Sequence, residues 1–476
     1  MKKIVLLWIV LLTGLSPDAQ VLSPGSLNEA ATLFIQSRQP GNLLQSCESL
    51  MNEQKVPVGY LFRFAPAGFI IVSANEKIKP VYAYSADGSF DLPGAEKESL
   101  KRVISKDLQS RILTSDKYSV SVRDAVRQEW TSFLSGSRKS KLFEQWPPEG
   151  ATSTGGWLES NWTQTFPYNE MCPMDLNTGT RSYAGCPAVA MAQILNYHRE
   201  INQTRFGPTD DYYHGFGTGY NFWIDDDYQM RDFPCFDTLN LWLDTLESAY
   251  LVNGPLSGSL KAALCFACGV AAHQCYSSVV SGTYGMDQAL MSYKRFGYSE
   301  SRLVFPEDTT LNSLIAENVK VKLPVHLGLL SSTGSGGHNV VVDGYNTDEF
   351  YHFNFGWGGP ANGWYTLPPS GIPYSLTIIE SAALDIKSEL YTGVPETQSA
   401  SPVRLYPNPV NEVLQVAGLT GPATFSVYTL SGKQVLNTRL SGRNCRVNMG
   451  EIPSGGYIYK VTPEMGNGLA GKLIKN

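Results

Sequence analysis

The sequence predicts an α+β fold for most of the chain and a small β-sandwich at its C-terminal end. Residues 186–197 repeat Ala, Val, Met, Ile and Leu at roughly helical spacing, which is typical of a buried helix. Residues 337–344 carry a valine run behind glycines, which predicts a buried strand. From Val403 onward, polar and apolar residues alternate in short runs separated by Gly and Pro, which is typical of a β-sandwich.

The residues around Cys186 predict a thiol in the first turn of a helix. Gly185 allows the backbone to pack closely just before Cys186, and Pro187 suits the start of a helix. Backbone N–H groups at a helix N-terminus stabilise negative charge, so we expect a lowered pKa for this thiol. Cys186 is therefore a candidate nucleophile, although this segment alone fits an inert buried cysteine equally well.

His338 opens the valine-rich strand. The preceding glycines allow a ligand to approach the backbone closely, and Asp343-Gly344 predicts a turn that closes the strand. A cysteine at a helix N-terminus and a histidine on a distant strand are typical of a thiol and general-base pair that meets only in the fold. The sequence therefore predicts that Cys186 and His338 form such a pair.

The segments that follow and precede this pair carry a family resemblance. The Cys186 helix, the Gly-Gly-His338 strand and the turn at residues 354–359 resemble the papain-like cysteine peptidases, and within them the streptopain family. Residues 161–169 resemble that family's Trp-x-Gln-x-x-Pro-Tyr-Asn segment. The resemblance covers residues 157–385 closely and implies a papain-like catalytic domain.

The resemblance implies peptide hydrolysis by acyl transfer. The Cys186 thiolate would attack the scissile carbonyl, and His338 would protonate the leaving amine and then activate water. Gln164 would line the oxyanion hole, where one donor contributes about 3 to 4 kcal/mol. Trp357 would cover His338, and Asn354 is the other candidate for orienting it; plain Gly and aromatic packing is the alternative interpretation of this turn.

Two positions depart from the family's pattern. Phe355 stands where Trp is frequent, and Pro187 stands where Val is more frequent. Because proline has no backbone N–H, the oxyanion hole must use the Cys186 N–H and the Gln164 amide.

Three residues are candidates for substrate binding. Ser281 and Gly282 lie in a segment, residues 276–285, that resembles the loop bordering the S2 pocket in the family. Gly337, beside His338, should run along the substrate backbone. A solvated Ser/Gly loop is the alternative interpretation.

The cysteines near residue 270 have the spacing of a zinc site. Cys265, Cys268, His273 and Cys275 could supply thiolate and imidazole ligands. Residues 260–269 are an apolar helical stretch, however, which favours packed cysteines. We therefore predict no metal and no cofactor.

The N-terminal residues predict export. Residues 1–19 have a charged start and a hydrophobic run of signal-peptide length, with cleavage after Ala19, and the run is too short to span a membrane. No later segment reaches about 18 consecutive apolar residues, so we predict no integral membrane segment.

Residues 20–150 resemble the streptopain propeptide, which implies an α+β inhibitory region made as part of a zymogen. Hydrophobic strands are predicted at residues 60–64 and 68–73, and a charged helix at residues 96–113. Residues 135–154, rich in polar residues and Pro, are the predicted exposed linker. An independent binding domain is the alternative interpretation.

The catalytic domain is predicted over residues 151–388 and a linker over residues 389–401. Residues 402–476 resemble the Ig-like sorting domain of proteins exported by the type IX secretion system. This implies secretion, or attachment to the outer surface of a Gram-negative bacterium after passage through the periplasm, with the secretion machinery as a partner. A carbohydrate-binding or adhesive module is the alternative. The resemblance lies in residues 405–410, 427–433 and 454–461.

Two further classes of function stay open. A net charge of −6 argues against nucleic-acid binding, and the expected substrates are proteins or peptides. A secreted cysteine endopeptidase is the favoured hypothesis, because Gln164, Cys186, His338 and Trp357 are all present. A papain-fold adhesin that has lost catalysis and a papain-fold amidase acting on the cell wall are the alternatives.

Overall fold

The computed structural model contains two compact units, Met1–Tyr391 and Thr392–Asn476. The predicted signal peptide and the predicted linker at residues 389–401 lie outside the residues that the structure describes. The described residues are 21–92, 94–136, 143–215, 221–330, 337–372, 376–387, 403–419, 421–429, 433–463 and 469–476.

The first unit combines α-helices with one large sheet and two small ones. Across the described ranges, no helix has both the length and the apolar character needed to cross a membrane. The helices are α1 Pro24–Gln36, α2 Gly94–Thr114, α3 Val120–Leu134, α4 Cys186–His198, α5 Tyr228–Arg231, α6 Phe236–Leu251, α7 Gly258–Ala271, α8 Met286–Arg295 and α9 Leu311–Lys320.

The strands of the first unit are mostly short. They are β1 Leu43–Met51, β2 Pro57–Ala65, β3 Phe69–Ser73, β4 Val81–Ser85, β5 Gln145–Trp146, β6 Met174–Asp175, β7 Thr180–Arg181, β8 Tyr212–Gly215, β9 Asn221–Ile224, β10 Arg302–Val304, β11 Val325–Leu330, β12 Gly337–Asn346, β13 Tyr351–Asn354, β14 Gly363–Tyr365 and β15 Ile379–Leu384.

One large antiparallel sheet joins the predicted propeptide to the predicted catalytic part. Its order is β1-β2-β3-β4-β14-β13-β12-β11-β15-β10, with β5 paired to β12. The junction is the pairing of β4 with β14, in which Tyr84 lies opposite Trp364 and Ala83 opposite Tyr365. The two parts therefore share backbone hydrogen bonds as well as side-chain packing.

The strands and the helix predicted in the N-terminal region are present. Residues 60–64 lie in β2, residues 69–73 form β3, and the charged stretch lies in α2. All five residues of β3 are buried because the sheet is covered on both faces. Its side chains alternate between two hydrophobic clusters, which explains why the segment is a continuous apolar run.

The valine run of β12 packs on both faces of the same sheet. Val341 belongs to the cluster that contains the apolar residues of α4, whereas Val340 and Val342 belong to the cluster on the other face. Alternate residues of β12 therefore face opposite sides of the sheet. This arrangement lays α4 against the face of the strand that includes Val341.

The turn predicted at Asp343-Gly344 is wrong, because β12 continues to Asn346. A register shift between Val342 and Gly344 keeps the strand paired with β13. Gly344 is required there, since a Cβ atom would lie 2.5 Å from Cβ of His352. Asp343 is buried in the strand and bonds to His352 Nδ1 at 2.7 Å.

The predicted exposed linker is partly ordered on the sheet. Residues 137–142 lie outside the described residues. Trp146, however, lies in β5 opposite Tyr345, with the two rings stacked at 6.1 Å. An aromatic residue covers the sheet at this position, which is why the segment is not exposed throughout.

The α+β fold class of the first unit is confirmed. The second unit is a small β-sandwich, as predicted. The two sheets of the second unit, β16-β17-β20 and β19-β18-β21-β22, share one hydrophobic cluster. The strands are β16 Arg404–Tyr406, β17 Val413–Ala417, β18 Ala423–Thr429, β19 Gln434–Leu440, β20 Asn444–Asn448, β21 Gly455–Pro463 and β22 Leu469–Lys475.

Candidate active site

Cys186 is the first residue of α4, at the position that the sequence predicts. Gly185 precedes it with φ +84°, a left-handed conformation that glycine adopts without strain. A Cβ atom on Gly185 would also lie 2.6 Å from Oε1 of Gln274. The buried Gln274 side chain fixes the backbone that leads into α4, because its Nε2 donates to the Ala184 carbonyl at 2.8 Å.

The prediction of a lowered pKa for Cys186 is wrong for this state of the chain. Burial raises the pKa of the Cys186 thiol, and hydrogen bonds from Asn339 and from its own backbone lower it by less. The Asn339 Nδ2 donates to the Cys186 sulfur at 3.8 Å. Removal from water therefore outweighs the helix N-terminus, and the thiol is protonated at neutral pH.

His338 is the second residue of β12, and two aromatic residues cover it. Its ring stacks on Trp357 with centroids 4.3 Å apart and planes 19° apart. The Nε2 atom lies 2.8 Å from the carbonyl oxygen of Phe355, which can only accept, so Nε2 carries the proton. Burial lowers the pKa of His338 to about 4, against the Phe355 hydrogen bond that raises it.

The structure brings the N-terminus of α4 and the start of β12 together. The contact between Asn339 and the Cys186 sulfur joins the two elements directly. In the described part of the chain, the hydrogen bonds of Cys186 and His338 lead to Asn339 and Phe355 and do not join the two residues to each other. Both groups are uncharged at pH 7.

Gln164 lies beside the segment that leads into the helix. Its carbonyl accepts from the Ala184 N–H at 2.8 Å, and its side chain is half-buried. The neighbouring Trp162 carbonyl accepts from the Gly358 N–H at 3.0 Å, which joins this segment to the turn that carries Trp357. The segments containing Gln164, Cys186, His338 and Trp357 therefore meet in one place.

Asn354 is a buried residue close to the region where these four segments meet. Its Nδ2 donates to the Ser160 carbonyl at 2.7 Å and to Gln193 Oε1 at 3.3 Å, and its Oδ1 accepts from the Gly356 N–H at 3.0 Å. Gln193 belongs to α4. The Asn354 amide thus ties the end of β13 to the helix, whereas the Phe355 carbonyl is the partner of His338.

The loop predicted to border the substrate is held beside the approach to Cys186. Ser281 is buried, and its hydroxyl donates to the Ser277 carbonyl at 2.9 Å. Gly282 pairs with Cys275 through two backbone hydrogen bonds. The Ser277 carbonyl also accepts from the Tyr183 N–H at 3.1 Å, which fixes the loop next to the helix entrance.

Gly337 is exposed at the start of β12, opposite Leu330. A Cβ atom there would lie 2.2 Å from the Leu329 carbonyl oxygen, so the pairing with β11 requires glycine. The glycines that precede it, residues 334 and 336, lie outside the described residues.

Sequence reasoning missed the polar side chains that support the site from inside the fold. Asn339, His326, Tyr293, Gln274 and Gln193 all carry hydrogen bonds that lead to the elements around Cys186. The signal at Asn339 is a polar residue on a buried, valine-rich strand. His326 carries no motif, so only the pairing of β11 with β12 reveals its place.

The cysteines considered for a zinc site lie in a hydrophobic environment. Cys265 and Cys268 are fully buried in α7, and burial raises the pKa of both thiols well above the ordinary value. All eight cysteines of the chain are free thiols. Within the described ranges, no group of three or more His, Cys, Asp or Glu side chains is placed to hold a metal ion.

Comparison with known protein families gives three separate matches along the chain. Residues 162–365 match the Peptidase C10 family. Residues 19–112 match the Spi protease inhibitor family, and residues 404–476 match the secretion system C-terminal sorting domain.

Two curated proteins are similar to much of this chain. The thiol protease/hemagglutinin PrtT of Porphyromonas gingivalis is 24% identical over 355 residues, which are 71% of this chain and 38% of that protein. Streptopain of Streptococcus pyogenes is 25% identical over 329 residues, which are 65% of this chain and 73% of that protein. The chain thus spans well under half the length of PrtT and most of the length of streptopain.

Two solved structures from Prevotella intermedia match parts of this chain. A prointerpain A fragment is 18% identical, with a TM-score of 0.49 over 73% of this chain and 99% of that chain. The active interpain A cysteine protease is 22% identical, with a TM-score of 0.35 over 49% of this chain and 94% of that chain.

Proposed function

Residues 162–365 are a peptidase C10 domain, and on this premise we propose that the protein is a secreted cysteine endopeptidase made as a zymogen. Residues 20–150 act as its inhibitory propeptide, residues 151–388 as the catalytic domain, and residues 402–476 as the sorting domain. One observation carries the proposal: Cys186, at the first turn of α4, lies beside the start of β12, where the His338 ring stacks on Trp357.

The reaction is acyl transfer through a thioester. The Cys186 thiolate attacks the scissile carbonyl, and the oxyanion that forms accepts hydrogen bonds from the Cys186 N–H and the Gln164 side-chain amide. The C–N bond breaks as His338 in its imidazolium form gives a proton to the leaving amine. His338 then takes a proton from water, hydroxide attacks the thioester, and the thiolate is released.

His338 is oriented by Trp357 and Phe355 in this proposal. The Trp357 ring limits rotation of the imidazole, and the Phe355 carbonyl fixes the proton on Nε2. This leaves Nδ1 as the atom that exchanges protons with the thiol and the substrate. Asn354 acts on His338 indirectly. Its Oδ1 accepts from the Gly356 N–H, which fixes the turn that carries Phe355.

The charges of the pair support assignment of this structure to the latent state. With the pKa of Cys186 raised and the pKa of His338 lowered to about 4, both by burial, neither the thiolate nor the imidazolium is formed at pH 7. We assign the burial to the N-terminal region, which is joined to the catalytic part through β4 and β14. Its removal would admit water and allow the ion pair to form.

Substrate binding is proposed along the exposed start of β12. Gly337 is exposed and lacks a side chain, so an extended peptide can run close to its backbone. We assign Ser281 and Gly282 to the border of the adjoining pocket. Val279 and Tyr284 of the same loop are 74% and 72% exposed, and they offer apolar surface to a substrate side chain.

Export to the outer surface of a Gram-negative bacterium follows from the sorting domain in this proposal. Residues 404–476 would be recognised by the type IX secretion machinery after passage through the periplasm. The substrates would then be proteins or peptides outside the cell.

Replacing Gln164 by alanine should lower kcat about 100- to 1000-fold, because one oxyanion-hole donor is lost. KM should change by less than about threefold, since the oxyanion exists only in the transition state. Steady-state hydrolysis of a fluorogenic peptide by the processed protein measures both constants. Gln229→Ala, at an exposed glutamine of α5, is the matched control; an unchanged kcat for Gln164→Ala would remove this residue from the mechanism.

The function itself is tested by incubating the purified precursor, residues 20–476, with casein before and after processing near residue 150. The peptidase proposal expects cleavage that a thiol-directed epoxysuccinyl inhibitor stops, with the inhibitor attached to Cys186. Processed protein that binds a cell-surface ligand but neither cleaves casein nor takes up the inhibitor would support the adhesin alternative. Cleavage of cell-wall amides without cleavage of casein would support the amidase.

A further inference from the structure

A chain of hydrogen bonds runs from the protein interior to the Cys186 sulfur. The Asn339 Nδ2 donates to the sulfur at 3.8 Å, and the Asn339 Oδ1 lies 2.7 Å from Nε2 of His326. The other ring nitrogen of His326 lies 3.1 Å from the Tyr293 hydroxyl. His326 and Tyr293 are both 0% exposed, so water does not compete for these bonds.

The direction of these hydrogen bonds follows from the chemistry of the groups. The Asn339 Oδ1 can only accept, so the proton of His326 lies on Nε2. Burial lowers the pKa of His326 to about 4, so the ring is neutral at pH 7 and Nδ1 accepts from the Tyr293 hydroxyl. Each group therefore donates toward the next, and the last N–H points at Cys186.

Strand register creates this arrangement. In the pairing of β11 with β12, Gly328 lies opposite Asn339 and His326 lies opposite Val341. Asn339 and Val341 share the face of β12 that packs on α4, so His326 lies diagonally across from Asn339 on that face. Gly328 has no side chain to separate them.

Packing alone does not account for three polar groups at these positions. Buried polar side chains cost stability unless they are hydrogen-bonded, and Val341, the next residue of β12 on the same face, is apolar. His326 and Tyr293 satisfy each other and the Asn339 oxygen. The amide N–H that they orient has the reactive sulfur as its partner.

We propose that Asn339 is a further catalytic residue, which donates a hydrogen bond to the Cys186 sulfur and stabilises its thiolate each time the thiolate forms. His326 and Tyr293 are positioning residues that fix the orientation of the Asn339 amide. The effect on turnover rests on the proposed peptidase function, whereas the effect on the reactivity of the thiol does not.

The test measures alkylation of Cys186 by iodoacetamide at pH 7 in the processed protein, resolved from the other cysteines by peptide mass spectrometry. Asn339→Ala should slow it about tenfold, because a hydrogen bond to a charged group is lost. Asn339→Asp keeps the shape but places a carboxylate beside the thiolate, so it should slow alkylation further. In both variants kcat should fall in parallel while KM stays within about twofold.

The positioning residues need a readout of their own. His326→Gln keeps a side-chain N–H that can donate to Asn339, so it should alkylate within about threefold of wild type, whereas His326→Leu should resemble Asn339→Ala. Tyr293→Phe removes one hydroxyl, so it should lower the alkylation rate and kcat by less than His326→Leu does. KM should again stay unchanged. Asn346→Ala, at a buried asparagine of the same strand, is the matched control and should leave the alkylation rate unchanged.

The outcomes separate this inference from the peptidase proposal. Wild-type alkylation and kcat in folded Asn339→Ala and Asn339→Asp proteins that still cleave peptides would overturn the role of Asn339 and leave the peptidase standing. Slowed alkylation in both variants, with no peptide cleavage by wild type, would support the role of Asn339 and overturn the peptidase. If Asn339→Ala does not fold, Asn339→Asp and Tyr293→Phe decide the question by the same readouts.

Discussion

Peptide hydrolysis by the processed protein should fall by about 10⁵-fold or more when Cys186 is replaced by alanine, because the proposed acyl-enzyme forms on its sulfur. Cys186 is the first residue of α4, beside the strand of His338, and the remaining cysteines near it are buried in apolar surroundings. Initial rates on casein and on a fluorogenic peptide measure the loss. Binding of the peptide should persist, since the substitution removes a sulfur atom and leaves the cleft intact.

The control is Cys235→Ala, at a half-buried cysteine that precedes α6. It should retain wild-type rates and wild-type labelling by the epoxysuccinyl inhibitor. The same pair of variants shows whether the precursor processes itself: if purified Cys186→Ala precursor shortens as wild type does, another protease performs that cleavage. A Cys186→Ala protein, freed from its propeptide, that still hydrolyses casein at the wild-type rate would contradict the assignment of the nucleophile.

The elements of the site that local pattern encodes could be predicted from the sequence. Cys186 opens a helix whose apolar spacing is regular, and His338 is the second residue of a valine-rich strand. The order of these segments and of the Gln164 segment also matches a known family. Each of these signals lies within a dozen residues, so no knowledge of the tertiary fold is needed to find it.

The charge state of the site could not be predicted in the same way. A helix N-terminus lowers a thiol pKa, but burial of Cys186 depends on which distant segments cover it, and burial prevails here. The hydrogen bonds that connect Tyr293, His326 and Asn339 likewise depend on the register between β11 and β12, which places His326 on the same face of the sheet as Asn339. No local motif distinguishes His326 or Asn339.

The joining of the N-terminal region to the catalytic part is a third feature that local pattern does not encode. The pairing of β4 with β14 is a contact between residues about 280 positions apart, which no pattern within either segment indicates. The same holds for the hydrogen bonds from α2 to Thr366. The contact between α2 and Thr366 contains an ion pair whose loss should strongly destabilise the precursor.

A buried ion pair of the N-terminal region bonds directly to the catalytic part. Arg111 and Asp107, both on α2, are 2.6 Å apart with side chains 8% and 1% exposed. The Arg111 guanidinium also donates to the Thr366 hydroxyl and to its carbonyl, each at 2.7 Å. Asp107 further accepts from the Tyr82 hydroxyl at 2.9 Å. Loss of Arg111 would leave a buried carboxylate unpaired beside the interface.

Replacing Arg111 by alanine should therefore lower the free energy of unfolding of the precursor by about 3 to 5 kcal/mol. Urea unfolding followed by tryptophan fluorescence, in a Cys186→Ala background that excludes any cleavage by Cys186, measures the change. Without that background, the weakened interface should also speed the alkylation of Cys186 by iodoacetamide before processing. Arg127→Ala removes an exposed pair with Asp124 on α3 and should cost less than about 1 kcal/mol.

The double variant Asp107→Leu/Arg111→Met decides between a charge effect and a packing effect. It replaces the ion pair by apolar side chains of similar length, so no charge is left buried, and it should recover most of the stability lost in Arg111→Ala. The hydrogen bonds to Thr366 stay broken in the double variant. If Cys186 becomes accessible in the double variant although stability is restored, those bonds hold the propeptide in place; if both stability and protection return, apolar packing between α2 and the sheet is sufficient. An Arg111→Ala precursor as stable and as protected as wild type would remove this ion pair from the account of latency.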